Sequence, residues 1–287
     1  MILFYGEILA DVVMDDEGRM NAFIGGAPFN AAVSAARSGS EALFVGRVGE
    51  DPLGRFLERQ AACFPVRTFL QKDKVRPTTI AFVSISASGE RDFRFLRHDA
   101  ADEALRVDSR FISSRKPKIV HIGSLMLSSS RGRKNAEKII ASAKKIGALV
   151  SFDVNFRSDI FKNKQSAIEA YMPVIEQADI LKYSEEETEI LYGLSYKEAL
   201  PHMKNRLVCV TLGKEGCYVK SGGTELFVPT APVKTVDTTG AGDAFFGAFL
   251  SGVDRTETLT MDVLRTIASD ANVAGARATQ HKGAILP

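Results

Sequence analysis

The chain has 287 residues, 45% of them hydrophobic, which is enough to bury a sizeable core. Its 37 lysines and arginines are balanced by 35 aspartates and glutamates and are dispersed along the chain, which argues against nucleic acid or an anionic membrane as a partner. Three cysteines and four scattered histidines lack the spacing of a disulfide framework or a zinc site, so we expect a protein of the reducing cytoplasm.

The predicted elements alternate between short apolar strands and amphipathic helices. No basic segment precedes the apolar residues of the first strand, so the start of the chain does not resemble a secretory signal. The apolar run from Ala244 to Leu250 is far shorter than the roughly 20 residues that cross a bilayer, and we expect no transmembrane segment. Strands are predicted at Ile2–Tyr5, Ala42–Gly46, Ile119–Ile122, Ala148–Phe152, Ile180–Tyr183 and Leu207–Leu212, and helices at Asn135–Ile146 and Glu185–Tyr192.

This alternation predicts an α/β fold with a mostly parallel sheet covered by helices. Two regions interrupt it, at residues 12–24 and 78–97, where short antiparallel strands are predicted, the second pair turning at Ser88-Gly89-Glu90. We expect these strands to form a small sheet over one end of the main domain, in the position of a lid. Because the sequence has no internal repeat or proline-rich linker, residues 1–287 are expected to form one domain.

The strongest local signal is the segment Asp237-Thr-Thr-Gly-Ala-Gly-Asp243, a glycine-rich turn that opens into an apolar helix. Gly240 and Gly242 let the backbone approach a ligand closely, and the free amides and dipole of the helix start, including Ala241, favour an anion. Asp243 lies in the first turn, where the positive helix end is expected to keep its carboxylate ionised. This arrangement predicts an anion hole beside a general base for a hydroxyl group.

The alternative is that the glycine turn only starts a buried helix, which Asp243 caps. Two other nucleotide-binding signatures are missing from the sequence. It has no Gly-x-x-x-x-Gly-Lys-Ser/Thr motif, and no Gly-x-Gly-x-x-Gly motif follows the first strand. P-loop enzymes and Rossmann dehydrogenases are therefore disfavoured.

Several ordered motifs resemble those of the ribokinase-like, or PfkB, family of carbohydrate kinases, over nearly the whole chain. The segment Gly25–Ala32 is similar to the N-terminal sugar-site motif of that family, and Asp237–Asp243 is similar to its C-terminal signature. The form Gly-Gly-Ala-Pro in the first motif favours a fructokinase within the family. Further matches in family order are Glu7–Asp11, Gly46–Gly54, Gly89–Arg91, Phe152–Arg157, Val210–Gly216 and Gly283–Ile285.

The resemblance implies a ribokinase-like α/β fold, with helices on both faces of the sheet and the small sheet closing over the sugar. ATP and sugar would bind at the carboxyl ends of the strands, which is where ligands of open α/β sheets bind. Closure keeps water from accepting the phosphoryl group. Asp243 would be the catalytic base, and Gly240, Ala241 and Gly242 would form the anion hole.

Other residues are assigned by the same resemblance. The sugar would be bound by Asp11, Gly26, Asn30, Arg97, Arg157 and Asp243. The nucleotide would be bound by Lys182, Ser184, Thr211, Gly213, Gly216, Gly240, Gly242 and Asn272. Glu187 would help to organise Mg2+ through water, and Asp237 resembles a site for a monovalent cation such as K+.

Each of these assignments has a structural alternative. Asp11 and Asp237 could be turn residues, Asn30 could only start a helix, and Asn272 could only pack a helix. Ser184, where many ribokinase relatives have Asn, forms with Glu187 the pattern of a helix capping box. Arg97 and Arg157 could pair with surface acids such as Asp99 and Asp159.

The expected activity is the ATP- and Mg2+-dependent phosphorylation of D-fructose. A 2-keto-3-deoxygluconate kinase is the nearest alternative, because Arg97 or Arg157 could bind the carboxylate of that sugar. An inactive sugar- or nucleotide-sensing protein is an alternative of another class. Because a small sheet has exposed edges, we also expect a homodimer formed through the lid.

Overall fold

The computed structural model describes residues 1–14, 17–85, 91–281 and 283–285, so the turn predicted at Ser88-Gly89-Glu90 lies outside the described residues. The strands are β1 Ile2–Tyr5, β2 Leu9–Met14, β3 Met20–Gly25, β4 Ala42–Gly49, β5 Arg67–Asp73, β6 Ile80–Ile85, β7 Arg91–Leu96, β8 Ile119–Ile122, β9 Leu149–Asp153, β10 Ile180–Ser184, β11 Leu207–Thr211, β12 Gly216–Ser221 and β13 Thr224–Pro229. The α-helices are α1 Ala27–Arg37, α2 Pro52–Ala61, α3 Ser109–Arg115, α4 Ser130–Lys145, α5 Lys164–Ile175, α6 Glu185–Tyr192, α7 Tyr196–Ala199, α8 Ala241–Arg255 and α9 Met261–Ala278.

The larger sheet has nine strands in the order β13-β12-β11-β10-β9-β8-β1-β4-β5. The seven neighbouring strands β11, β10, β9, β8, β1, β4 and β5 pair in parallel. Strands β12 and β13 add an antiparallel hairpin at the β11 side. The six predicted strands all lie in this sheet, with ends that differ by a few residues. The sequence prediction missed β5, β12 and β13. Strands β5 and β13 lie at the two edges of the sheet and carry exposed polar residues, and Lys220 interrupts the apolar run of β12.

Helices cover both faces of this sheet, as predicted. On β1, Ile2 and Phe4 face a core built mainly with α1, α8 and α9. Leu3 and Tyr5 point to the opposite face and pack with α3, α4 and α5. The α/β fold with a mostly parallel sheet is therefore confirmed. No helix among the described residues is long and apolar enough to span a bilayer.

The smaller sheet has the strand order β3-β2-β6-β7 and lies in the regions where extra strands were predicted. Strands β2 and β3 form one antiparallel pair and β6 and β7 another, while β2 and β6, which join the pairs, run parallel. Ala10, Val12 and Ile24 bury one side of this sheet against the main core. Leu9 and Ala81, on the other side, pack with Leu125.

Candidate active site

The glycine turn before α8 has the geometry that its sequence predicts. Gly240 has a φ of 76°, in the left-handed region that favours glycine, and a Cβ atom there would lie 2.5 Å from the carbonyl oxygen of Ala284. The amide of Ala241 donates to the carbonyl of Thr238. The amides of Gly240, Gly242 and Asp243 make no hydrogen bond to a described residue. The start of α8 therefore presents free donors that can bind an anion.

Asp243 lies in the first turn of α8 and contacts α1. The Nδ2 atom of Asn30 donates to Oδ2 of Asp243 over 2.8 Å. Burial raises the pKa of Asp243, although the hydrogen bond from Asn30 and the charges of Lys182 and Arg157 act to lower it. Burial therefore acts against the expected effect of the helix end, which favours the ionised carboxylate. A carboxylate with a raised pKa is the better proton acceptor.

Two glycines shape the junction between the small sheet and α1. Gly26 precedes α1 with a φ of 113°, and a Cβ atom there would lie 2.5 Å from the carbonyl oxygen of Glu7. A Cβ atom at Gly25 would lie 2.2 Å from Oδ2 of Asp11. This close approach places Asp11 of β2 beside the chain that leads into α1 and Asn30. Three of the predicted sugar-site residues, Asp11, Gly26 and Asn30, thus belong to one junction.

Asn30 also leaves an unsatisfied acceptor in this junction. The residue is only 4% exposed, and its Oδ1 atom has no hydrogen-bond partner among the described residues. A buried polar atom without a partner costs free energy unless a ligand or water satisfies it. Asn30 is therefore built to accept a hydrogen bond as well as to hold Asp243.

Lys182 and Asp153 form a buried ion pair beneath the glycine turn. They lie opposite each other on β10 and β9, and Nζ of Lys182 is 2.8 Å and 3.0 Å from the carboxylate oxygens of Asp153. A Cβ atom on Gly242 would lie 3.2 Å from this Nζ, so the ammonium group lies directly beside the turn. Sequence reasoning did not assign Asp153; a charged residue at the end of an apolar strand was the available signal.

The charges around this pair are unequal. Burial opposes the charge of Lys182, yet Asp153, Glu187 and Asp243 together raise its pKa. Burial also raises the pKa of Asp153, and Glu187 and Asp243 add to this, while Lys182 opposes it. Three carboxyl groups, those of Asp153, Glu187 and Asp243, thus lie near only two cationic side chains, Lys182 and the less buried Arg157. This site has an excess of negative charge that suits a further cation.

Glu187 and Ser184 form the capping box that the sequence suggested. The Ser184 amide donates to Oε2 of Glu187 over 2.7 Å, and the Glu187 amide donates to Oγ of Ser184 over 3.2 Å. The other carboxylate oxygen of Glu187 accepts the amide of Phe156 over 2.7 Å. Glu187 therefore connects the start of α6 to the segment after β9, and its carboxylate is held near the carboxyl ends of β9 and β10.

A cavity of about 590 Å³ lies on the other side of the glycine turn. Its lining includes the predicted nucleotide-site residues Thr211, Gly213, Gly216, Gly242 and Asn272. It also includes Thr230, Ala231, Pro232, Val233, Thr235, Thr238, Phe245, Ala276 and Thr279, which sequence reasoning did not assign. The predicted Lys182, Ser184 and Gly240 do not line it. These polar and apolar groups meet only because β12, β13 and α9 fold against α8.

Asn272 combines a structural and a lining role. Its Nδ2 atom donates to the carbonyl of Val228 over 2.9 Å and to that of Pro229 over 3.3 Å. These bonds fix α9 to the end of β13, so the helix-packing alternative holds for its amide nitrogen. The same residue still borders the cavity.

The two arginines differ in their surroundings. Arg97 has a side chain only 4% exposed, and its Nε donates to Oδ2 of Asp102 over 2.7 Å while Nη1 donates to Ser128. It does not pair with Asp99, which binds Arg76 instead. Arg157 forms no ion pair with a described residue; its Nη1 donates weakly to the carbonyl of Phe156.

Asp237 fixes the loop before the glycine turn. Its Oδ1 accepts the amide of Thr239 over 3.0 Å, and its Oδ2 accepts the amide of Gly283 over 2.7 Å. The turn-cap alternative therefore describes part of its role, and the carboxylate also holds the C-terminal segment over the turn. Among the described residues, no group of three or more His, Cys, Asp or Glu side chains could hold a metal ion by itself.

Comparison with known proteins identifies the class to which this fold and site belong. Residues 1–287 match the pfkB family carbohydrate kinase, and the chain belongs to this family. The predicted family and its ATP-dependent sugar kinase activity are thereby confirmed.

Individual relatives are fructokinases. Fructokinase-1 of Zea mays is 35% identical over 301 aligned positions, which cover 99% of this chain and 93% of the relative. A double mutant of Vibrio cholerae O395 fructokinase, solved in fructose, ADP and potassium ion bound form, has a TM-score of 0.90 at 33% identity and covers 99% of this chain and 93% of its own. Xylella fastidiosa fructokinase with bound ATP has a TM-score of 0.88 at 27% identity, with 99% and 93% covered.

Proposed function

We propose that this kinase transfers the γ-phosphoryl group of ATP to a hydroxyl group of D-fructose. The observation that carries the proposal is the contact between Asn30 and Asp243, which places a carboxylate with a raised pKa beside free helix amides and an unsatisfied buried acceptor. Residues 1–287 would act as one kinase domain, with the small sheet as its lid. The similarity to three fructokinases supports this choice of sugar.

Asp243 is the general base in this mechanism. Its carboxylate accepts the proton of the sugar hydroxyl as that oxygen forms its bond to the γ-phosphorus, and the bond from this phosphorus to the bridging oxygen breaks to release ADP. The free amides of Gly240 and Gly242 stabilise the charge on the transferring oxygens. Ala241 contributes less than predicted, because its amide already donates to Thr238.

The sugar is held at the junction of the small sheet and α1. Oδ1 of Asn30 accepts a hydrogen bond from a sugar hydroxyl, and Asp11 and the backbone at Gly26 bind others. Arg97 contributes from the lid through Nη2, which lies in ion-pair contact with Asp102 but makes no hydrogen bond within the described residues. The guanidinium group of Arg157 interacts with the transferred phosphoryl group.

The nucleotide occupies the cavity between Thr211–Gly216 and α9. Its apolar walls, such as Val233 and Phe245, take the faces of the adenine ring, and Gly213 and Gly216 allow close backbone approach. Lys182, whose ammonium group lies beside Gly242, acts on the phosphate groups of the nucleotide. Ser184 acts mainly through Glu187, because its hydroxyl is used in the capping box.

The charge pattern fits a magnesium ion that the phosphates and water hold. Mg2+ keeps several waters and uses one or two carboxylates with substrate phosphates, and the carboxylate excess at Asp153, Glu187 and Asp243 suits this. The ion neutralises charge on the phosphate oxygens when bound. A monovalent ion such as K+ would be held near Asp237, a buried carboxylate in the loop before the glycine turn.

One observation favours 2-keto-3-deoxygluconate as a second candidate. Arg157 is the arginine near Asp243 that lacks an ion pair among the described residues, so it could bind a carboxylate. Arg97 could do so less well, because Asp102 already neutralises it. An inactive sensor is the third possibility, although it would need no base beside an anion hole.

A competition assay separates these candidates. ADP release is measured with D-fructose, 2-keto-3-deoxygluconate and ribose, alone and in pairs. We expect the largest specificity constant for fructose, and Arg157→Lys should leave the preference unchanged. A specificity constant for the keto-acid at least about tenfold above that for fructose would overturn the choice of sugar. Absence of ADP release with every sugar would favour the sensor.

The small sheet also supports a homodimer. Met14, Met20, Phe23 and Leu96, all on its strands, are each at least half exposed. Phe23 lies on the same face as Asp11, and the other three lie on the opposite face. Exposed apolar side chains on a small sheet with open edges are typical of an interface. Light scattering should show a dimer, and Phe23→Lys should weaken it about tenfold, which corresponds to about 1.4 kcal/mol. A wild-type monomer at micromolar concentration would contradict this part of the proposal.

A further inference from the structure

A second cavity, of about 630 Å³, lies apart from the proposed active site. It is on the sheet face covered by α3, between the ends of β1, β4 and β5. No residue assigned above to ATP, sugar or metal lines it. Its size is within the range of small-molecule sites. The lining residues are Tyr5, Val45, Arg47, Phe69, Gln71, Lys72, Asp73, Lys74, Val75, Arg76, Arg106, Asp108 and Phe111.

The lining is strongly cationic. Five lysines and arginines face two aspartates. Arg76 pairs with Asp73 and Asp99, and Lys72 pairs with Glu58. Lys74 and Arg106 form no ion pair with a described residue. The cavity therefore keeps a positive excess that its own carboxylates do not neutralise, and this excess attracts an anion.

Two hydrogen-bond donors in the cavity lining also lack partners among the described residues. The side chain of Arg47 is 9% exposed; its Nη2 pairs with Asp73 over 2.8 Å, but its Nε has no hydrogen-bond partner among the described residues. Tyr5 is 1% exposed, and its hydroxyl group makes no hydrogen bond to a described residue. An unsatisfied buried donor such as Nε of Arg47 is costly, and with the Tyr5 hydroxyl in the same cavity it indicates a ligand with acceptor oxygens.

An apolar wall stands beside these donors. Phe69 is 49% exposed, and its ring lies 5.2 Å from that of Phe111. An exposed aromatic pair beside a cationic pocket suits a ligand with an apolar or ring face and an anionic end.

We propose that this cavity binds the phosphate group of a small phosphate monoester, such as a sugar phosphate. The phosphate oxygens accept hydrogen bonds from Nε of Arg47 and the hydroxyl of Tyr5, and Arg106 and Lys74 neutralise its charge from the rim. The carbon skeleton lies against Phe69 and Phe111. This assignment does not depend on which sugar the kinase phosphorylates.

Calorimetry on the full chain tests the proposal. The active site is first saturated with fructose and a non-hydrolysable ATP analogue, and fructose 6-phosphate and inorganic phosphate are then titrated. We expect saturable binding of both, tighter for the sugar phosphate because of the aromatic wall. If fructose does not bind the active site, the ATP analogue alone still blocks the phosphate subsite, so the test remains separate from the choice of sugar.

Variants locate the binding. Arg106→Ala and Tyr5→Phe should each weaken it about tenfold or more, the loss of about one charge-assisted hydrogen bond. The matched control is Arg110→Ala, an exposed arginine on α3 outside the cavity, which should bind normally. Turnover without added phosphate should be unchanged in Arg106→Ala. Absence of saturable binding, or equal affinity in Arg106→Ala and Arg110→Ala, would overturn the proposal.

Discussion

The two sides of the proposed cleft are built differently. On the phosphate side, Asp153 and Lys182 are each 5% exposed, and every carboxylate has a defined partner. On the lid side, Met14 is 59% and Met20 63% exposed on the same small sheet that carries Asp11. The side proposed for chemistry thus rests on strands buried on both faces, whereas the side proposed for sugar recognition rests on a partly uncovered sheet.

This difference agrees with what each task needs. Transition-state stabilisation requires donors and charges that are already in place, so their supports must be rigid. A lid must open and close, and such elements have fewer buried contacts. Substitutions on the phosphate side should therefore cause larger losses than substitutions at the lid.

The largest effect is expected from Asp243→Asn. Loss of the base should lower kcat by at least roughly 100-fold, the lower range for general acid–base catalysis, while ATP affinity remains nearly normal. Steady-state kinetics and calorimetry with ATP measure the two quantities. A folded variant with near-normal turnover would refute the assignment of the base.

Lys182→Met tests how much the buried ion pair contributes to rigidity. It leaves Asp153 without its partner, and removal of one member of a buried pair costs about 3 to 5 kcal/mol in the free energy of unfolding. Urea unfolding measures this loss. Asp153→Asn combined with Lys182→Met should recover part of it, and Lys145→Met, on the exposed end of α4, is the control. Equal stability of the Lys182 and Lys145 variants would show that the pair does not matter.

Gly26→Ala tests the joint between the two sides. The φ of 113° and the 2.5 Å approach of a Cβ atom to the Glu7 carbonyl should together cost about 2 to 3 kcal/mol. Gly18→Ala is a matched control, because Gly18 also has a positive φ, of 79°, but has open space around it. We expect it to lose only about 1 kcal/mol. Similar losses at both positions would mean that the close approach is relieved without cost.

Glu7, next to this joint, should give a smaller effect that depends on pH. Burial raises its pKa from 4.5 to about 8, although Arg97 opposes this. Since the folded state holds the proton more tightly, the contribution of Glu7 to stability is present below the unfolded pKa and is lost as pH rises to about 8. Relative to wild type, Glu7→Gln should therefore gain about 2 kcal/mol between pH 5 and pH 6.5.

Thermal or urea unfolding at the two pH values measures this gain for Glu7→Gln. The exposed Glu257→Gln is the control and should show no such change with pH. A constant difference between wild type and Glu7→Gln across this range would mean that Glu7 does not titrate there.

Much of the fold could be predicted from local sequence. Runs of β-branched and apolar residues predicted the inner strands, because a strand buried on both faces needs them along its whole length. The glycine turn at Gly240 and the capping box of Ser184 and Glu187 depend on residues within a few positions of one another. Edge strand β5 could not be predicted in this way, because its polar residues resemble those of a loop.

The candidate site needed the tertiary structure. The sequence alone determined that Asp243 follows a glycine turn at a helix start, and the family resemblance added Asn30. Only the folded chain brings these residues together across 213 positions. Only the fold decides that burial raises the pKa of Asp243, that Arg97 pairs with Asp102, and that Lys182 neutralises Asp153. The physical reason is that capping and turns are short-range, whereas burial and charge pairing depend on which distant segments pack together.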